Sequence, residues 1–277
     1  MGKIRRALVP KRTVQPSFFV MITGGGHHSS ISHHEKRNKD MATNIPSGSL
    51  ANILTSTIPT DIPLQEQIDR FVALGAEYVP EEMAKQVNSH IEQLIKSSAA
   101  EFALKEDEQA PDFTLPDALG QPVTLSQLLT QGPVIIIFYR GQWCPYCNLE
   151  LRAYQKALPQ FQELGATLVA ISPQTPDHSL STMEKQGLAF AVLSDRSNQV
   201  AREYGLVFKL DEAARALHAQ LGADLPAYNG DDSWELPMTG TFLVDQSRRV
   251  RLASVDPNFF HRLDPSFVIV RLKELMS

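Results

Sequence analysis

The run Val134-Ile-Ile-Ile-Phe-Tyr139 ends five residues before Cys144-Pro-Tyr-Cys147, and this junction constrains the fold more than any other stretch. An unbroken, β-branched apolar run of that length reads as a strand buried on both faces, as in parallel sheets. Behind it, Cys147, Leu151, Tyr154, Leu158 and Phe161 recur at steps of four, three, four and three, which is one face of a helix. Both cysteines of the chain therefore stand where a buried strand hands over to a helix. Pro159 is predicted to kink that helix or shorten its first segment.

Two cysteines in 277 residues are too few for a secreted disulfide scaffold, and 43% hydrophobic residues can bury a core without staples. A C-x-x-C pair near a βαβ pattern reads as a redox motif of a reducing compartment. The alternative, half a metal site, needs further ligands, and neither His-x-x-x-His nor a second cysteine pair is present. No cofactor or metal is expected.

The net charge of −5 is uneven: residues 1–40 carry +6 and the remainder −11. An acidic body offers no nucleic-acid footprint. No apolar run approaches the roughly 18 residues of a membrane span, so the chain is expected to be soluble and without a membrane partner. Residues 1–40 are basic, acid-poor until Glu35, and carry His27-His28 and His33-His34. They read as a tail or a start upstream of the true one at Met41, with a transit peptide and a histidine metal site as alternatives. The expected location is cytoplasmic, or an organelle if that segment is a transit peptide.

The remaining organisation follows from periodicity and punctuation. Residues 1–60 are taken as tail, 61–106 as a helical extension and 107–277 as the main domain. Leu64, Ile68, Phe71 and Val72 make one apolar stripe, and Met83, Val87, Ile91, Leu94 and Ile95 a second that starts after Pro80. A helical hairpin packed on the main domain is expected, with a homodimer interface or a lid as the functional alternative. A β-hairpin around Ala118 to Pro122, a short helix capped by Ser126, and a strand from Thr167 to Ser172 follow. Next are predicted a helix near Ser179 to Gly187, a strand from Phe190, a helix capped by Ser197 and ended by Gly205, and another over Asp211 to Leu221. Gly222 to Pro237 reads as an acidic loop, Thr241 to Val255 as a hairpin, and Asp264 to Met276 as a closing helix. The cysteines thus fall at the carboxyl edge of a mixed sheet, where open α/β folds place their sites.

Ala110-Pro-Asp-Phe-Thr-Leu, Val123-Thr-Leu-Ser, the Phe138-Tyr139 strand end and Gly240-Thr-Phe-Leu-Val-Asp245 resemble landmarks of the alkyl hydroperoxide reductase/thiol-specific antioxidant family of peroxiredoxins. The resemblance implies an α/β thioredoxin-like, peroxiredoxin-type mixed sheet flanked by helices, with an N-terminal helical extension. It implies an enzyme that reduces hydrogen peroxide and organic hydroperoxides through thiols, with a thioredoxin- or glutathione-type donor. That family's Pro-x-x-x-Thr-x-x-Cys places its peroxide-reducing cysteine on Cys147, with Arg140 standing at the Pro and Cys144 at the Thr. Its later arginine falls on Thr239. The run Trp143 to Cys147 is also similar to thioredoxins and glutaredoxins, whose cis-proline position falls on Gly240. Thr239 and Gly240, with Trp143 and Tyr146, are therefore candidate pocket residues.

A thiol attacks as thiolate, and a helix N-terminus lowers its pKa; Arg140 adds a cation if it points inward rather than to solvent. Helical phase buries Cys147 and leaves Cys144 ahead of the first turn, which favours Cys144 as nucleophile and Cys147 as resolver. The peroxiredoxin alignment favours the reverse. His178 and His261 could serve as acid-base helpers, but each reads first as a loop or surface histidine and neither is claimed. A thiol peroxidase is the first reading, a thioredoxin-like protein disulfide reductase the second, and a non-enzymatic redox sensor the third.

Overall fold

The computed structural model describes residues 47–276. The expectations on residues 1–40 lie outside the described residues. Three helices come first, α1 (Ser47–Thr57), α2 (Leu64–Gly75) and α3 (Glu81–Lys96), then a hairpin of β1 (Thr114–Pro116) and β2 (Pro122–Thr124) leading into the short α4 (Leu125–Leu128). The chain then runs through β3 (Val134–Phe138), α5 (Pro145–Glu163), β4 (Thr167–Ser172), α6 (Pro176–Gln186), β5 (Ala191–Ser194) and α7 (Gln199–Glu203). A small two-stranded sheet of β6 (Val207–Lys209) and β7 (Glu235–Pro237) encloses α8 (Glu212–Gln220) and α9 (Leu225–Asn229). The hairpin of β8 (Gly240–Val244) and β9 (Val250–Val255) and the closing α10 (Pro265–Leu275) complete it.

The five-stranded sheet has the order β5-β4-β3-β8-β9, with β3, β4 and β5 parallel and β8 and β9 antiparallel. Central β3 explains the unbroken apolar run. Ile135, Ile137 and Tyr139 enter one core with both cysteines and the apolar face of α5, while Val134, Ile136 and Phe138 enter the opposite core with Phe113, Tyr204 and Phe242. All five residues of β3 are fully buried, so neither face tolerates a polar side chain.

The two N-terminal stripes do not form a hairpin. Leu64, Ile68 and Phe71 of α2 pack in the core that holds the cysteines, against α5, whereas α3 packs on α8. The stripe of α3 is also narrower than its sequence pattern, with Ala84, Ile91 and Leu94 buried and Ile95 exposed. Helix α1 lies inside the stretch read as tail, and its Thr55 carbonyl accepts a hydrogen bond from Arg152 of α5.

Several local expectations are corrected. Asp112, not Ser126, closes α4, its carboxylate accepting from the Ser126 backbone N–H. Ser197 and Asn198 take left-handed backbone, and the Asp195 carboxylate instead accepts from the N–H groups of Val200 and Ala201. The span from Gly222 to Pro237 is not a plain loop, because Asp224 caps α9 and β7 pairs with β6. Pro159 lies on the exposed side of α5, which continues past it to Glu163.

Gly205, expected to stop α7, does so at φ +69, and a Cβ there would lie 2.0 Å from the Phe102 carbonyl oxygen. Gly205→Ala is therefore expected to destabilise the fold by about 1–3 kcal/mol from backbone strain alone. Denaturant unfolding checks this; Gly120→Ala, where positive φ is kept but the space is open, carries the strain without the clash and is expected to cost less.

Candidate active site

The strand end, the turn and the helix start each have a local cause. Past Phe138, the Tyr139 N–H still donates to Ile171, so the strand is held to its end. Gly141 follows at φ +149, and a Cβ would lie 2.5 Å from the Trp143 indole nitrogen and 2.7 Å from the Gln174 side-chain oxygen. Only glycine turns the chain here. Gln174 accepts from the Gln142 N–H, and Asn148 donates to the Gln142 carbonyl at 2.9 Å. Cys144 is the N-cap of α5 and Pro145 its first residue, where the missing N–H costs nothing.

Cys144 and Cys147 are both free and both 0% exposed. The expected accessibility of Cys144 is thus overturned: helical phase describes the helix alone, while the segment between β9 and α10 covers its end. Phe260 of that segment packs its ring on Tyr146 at 4.8 Å, and Tyr146 meets Phe71 of α2 at 5.4 Å.

The two sulfurs lie 2.8 Å apart, the Cys147 thiol donating to Cys144. Arg140 points inward, not to solvent: it is 5% exposed and its Nη2 donates to the Cys144 sulfur at 3.2 Å. Its guanidinium carbon lies 4.0 Å from the ring centre of Phe259 and 5.2 Å from that of Trp143. Trp143 in turn meets the buried His218 edge-on at 5.2 Å. A second arginine arrives from far downstream. Arg262 pairs with Glu150 at 2.9 Å, both side chains 2% exposed, and its Nη2 reaches Cys147 at 3.7 Å.

These neighbours separate the two thiols. Burial alone pushes both up. At Cys144 the hydrogen bond from Cys147, the charges of Arg140 and Arg262 and the Arg140 hydrogen bond outweigh it, and the thiol is held well below its ordinary range. At Cys147 the adjacent Cys144 anion adds to burial, and the thiol is held well above. Burial also pushes Glu150 up to about 7 against the pull of Arg262. The two sulfurs in contact are thus shifted in opposite directions, Cys144 down and Cys147 up.

Of the sequence candidates, the structure brings together Cys144, Cys147, Arg140, Trp143 and Tyr146. Gly240 lies opposite Phe138 in the β3–β8 ladder, and Thr239 is buried beside it, but neither hydrogen-bonds a sulfur. His178 contacts Gln142 and the Tyr228 ring, and His261 pairs with Asp256 on the surface; neither reaches a sulfur. Sequence reasoning missed Arg262, Phe259 and the role of Glu150. Among the described residues no cluster of metal-ligating side chains occurs, and no helix is long and apolar enough to cross a membrane.

A model of the AhpC/TSA family matches residues 107–253, more than half of the chain. A chloroplastic peroxiredoxin Q of Sedum lineare is 34% identical over 96 residues, which are 35% of this chain and 51% of the relative. A putative peroxiredoxin of Mycobacterium tuberculosis is 32% identical over 103 residues, 37% of this chain and 67% of the relative. The chain thus spans about half the length of the first of these and two thirds of the second. The crystal structure of peroxidoxin BcpB from M. tuberculosis superposes with a TM-score of 0.50 at 24% identity, covering 63% of this chain and 99% of that one, which shows a common fold. With its central mixed sheet and its dithiol at the strand-helix junction, the chain belongs to the AhpC/TSA family and has the peroxiredoxin type of thioredoxin-like fold.

Proposed function

We propose that this protein is a thiol-dependent peroxidase in which Cys144 attacks and Cys147 resolves. One observation carries the reading: the Cys144 sulfur sits between the Arg140 guanidinium at 3.2 Å and the Cys147 thiol at 2.8 Å. The first neighbour stabilises the anion that must attack, and the second is placed to close the cycle.

The Cys144 thiolate attacks one oxygen of hydrogen peroxide or an organic hydroperoxide, and the O–O bond breaks. The sulfur becomes a sulfenic acid, and the departing hydroxide or alkoxide takes a proton from solvent to leave as water or alcohol. Cys147 then attacks the sulfenic sulfur, its proton leaving with the displaced hydroxide as a second water, and the Cys144–Cys147 disulfide forms. Two thiol equivalents from a thioredoxin- or glutathione-type donor restore the dithiol by exchange. Trp143 and Tyr146 wall the site, and Thr239 and Gly240 lie behind it at the strand end.

Complete burial of both sulfurs favours peroxide over protein disulfides as the oxidising substrate. A peroxide is small and has less to displace in reaching Cys144 than a protein disulfide, which would have to displace Tyr146 and the segment that covers it. For the compartment, relatives named as chloroplastic support the organelle alternative for residues 1–40.

The test is peroxide consumption with dithiothreitol as donor, run beside insulin reduction. Peroxide loss with two thiols oxidised per peroxide and no insulin reduction is the expected result. Insulin reduction without peroxide loss would replace this reading with that of a disulfide reductase.

A further inference from the structure

We infer that Phe259 is a positioning residue whose ring holds the Arg140 guanidinium against the Cys144 sulfur without neutralising it. The inference rests on the proposed role of Cys144.

A buried arginine ordinarily has a carboxylate partner, because an unpaired cation in the interior is costly. Arg262 conforms, with Glu150 at 2.9 Å. Arg140 does not: among the described residues its hydrogen-bond partner is the Cys144 sulfur, and its Nε has none. In place of a carboxylate it has the Phe259 ring at 4.0 Å and, more distantly, the Trp143 ring at 5.2 Å.

The difference has a chemical consequence. A carboxylate would compete with the sulfur for the same N–H groups and cancel the charge that stabilises the thiolate. An aromatic face attracts a cation through its quadrupole and carries no net charge, so it fixes the guanidinium and leaves its field acting on the sulfur. The two arginines beside the dithiol therefore differ in kind. Arg262, nearer Cys147, is engaged by Glu150; Arg140, nearer Cys144, is not.

The surroundings preserve that difference. The segment carrying Phe259 is anchored by Phe260, which meets Phe259 at 4.9 Å and Tyr146 at 4.8 Å. The groups facing the Cys144 sulfur are Arg140 from the turn, Arg262 from the covering segment, and Cys147, Tyr146 and Glu150 from α5. Burial and the charge of Arg140 lower His90, against the opposing pull of Asp211, and push His218 down to about 4. None of the groups facing the sulfur gives Arg140 a carboxylate partner: Glu150, the one acid among them, is bound to Arg262.

The test uses full-length reduced protein with Cys147→Ser, which leaves one thiol to titrate and keeps a hydroxyl donor beside it. Thiolate absorbance in the ultraviolet is followed against pH. Phe259→Ala is expected to raise the midpoint by about one unit, which is about tenfold less thiolate at a pH below it. Phe259→Tyr and Phe259→Trp, which keep an aromatic face, are expected to restore the midpoint. If Phe259→Ala loses its far-ultraviolet circular dichroism, Phe259→Leu, which keeps the bulk without the ring, is read in the same way. An unmoved midpoint in the variants that fold, or an equal shift in the Tyr and Leu variants, overturns the inference. A midpoint that depends on Phe259 in a protein that consumes no peroxide would remove the peroxidase reading and leave the aromatic clamp. Peroxide consumption through Cys144 with an unmoved midpoint would do the opposite.

Discussion

Cys144→Ser is expected to lower the rate of peroxide consumption on the order of a thousandfold or more, because a serine hydroxyl is not ionised at neutral pH and cannot replace a thiolate. Cys147→Ser should behave differently. Without external thiol it should still remove one equivalent of peroxide at close to the normal rate and then stop, since Cys144 is intact but has no resolving partner. The asymmetry follows from the site, where burial raises both thiols but Arg140 and the Cys147 hydrogen bond bring only Cys144 back down. Stopped-flow measurement of a single turnover with each variant checks it. Equal loss in the single turnover of both would contradict the division of labour.

The largest effect on stability is expected from Arg262→Ala. It leaves the Glu150 carboxylate, 2% exposed, without its cation, and breaking one side of a buried pair costs about 3–5 kcal/mol. Adding Glu150→Gln should recover part of that loss, because the orphaned group is then neutral. The pH dependence has a definite sign. Burial raises Glu150 above its unfolded value, up to about 7, so its contribution to stability is full below the unfolded carboxylate's pKa and is lost as pH climbs through about 7. Removing Arg262 takes away the pull that keeps the value from rising further, so Arg262→Ala should compare with the parent least well in alkaline solution. Urea denaturation of the reduced proteins at pH 5, 7 and 9 reads both effects.

Much of this architecture is visible along the chain because its causes are local. The apolar run of β3 and the repeat from Cys147 to Phe161 each specify their own burial, and together they place the cysteines at a strand-helix junction. Asp211 and Asp264 begin their helices as N-caps, with carboxylates that accept from backbone N–H groups. The cover over the dithiol is not local. Arg262 lies 115 residues beyond Cys147 in an irregular segment with no periodicity, and only the pairing of β9 with β8 and the docking of α10 on α5 bring it back. Phe259 is hidden for the same reason. Helical phase places Cys144 ahead of the first turn but carries no information about what lies over that turn, and so the sulfur is buried where exposure is expected.

The pocket positions differ in origin. Thr239 and Gly240 are candidates only through the resemblance; Gly240 lies opposite Phe138 in the β3–β8 ladder and Thr239 is buried next to it in the chain. Two cations do reach the dithiol, Arg140 and Arg262, and they come from different segments of the chain. Glu150 stands three residues past Cys147 on α5, yet its role rests on a partner, Arg262, that no spacing along α5 reveals.

The claim that Cys144 is the attacking sulfur is tested most directly by trapping the first oxidation product. Cys147→Ser protein is treated with one equivalent of hydrogen peroxide in the presence of dimedone, which captures sulfenic acids, and the adduct is mapped by peptide mass spectrometry beside Cys144→Ser protein treated identically. The account requires the adduct on Cys144 in the first protein and little or none on Cys147 in the second. An adduct on Cys147 in the second, with Cys144 unmodified in the first, would contradict it and transfer the attacking role to Cys147.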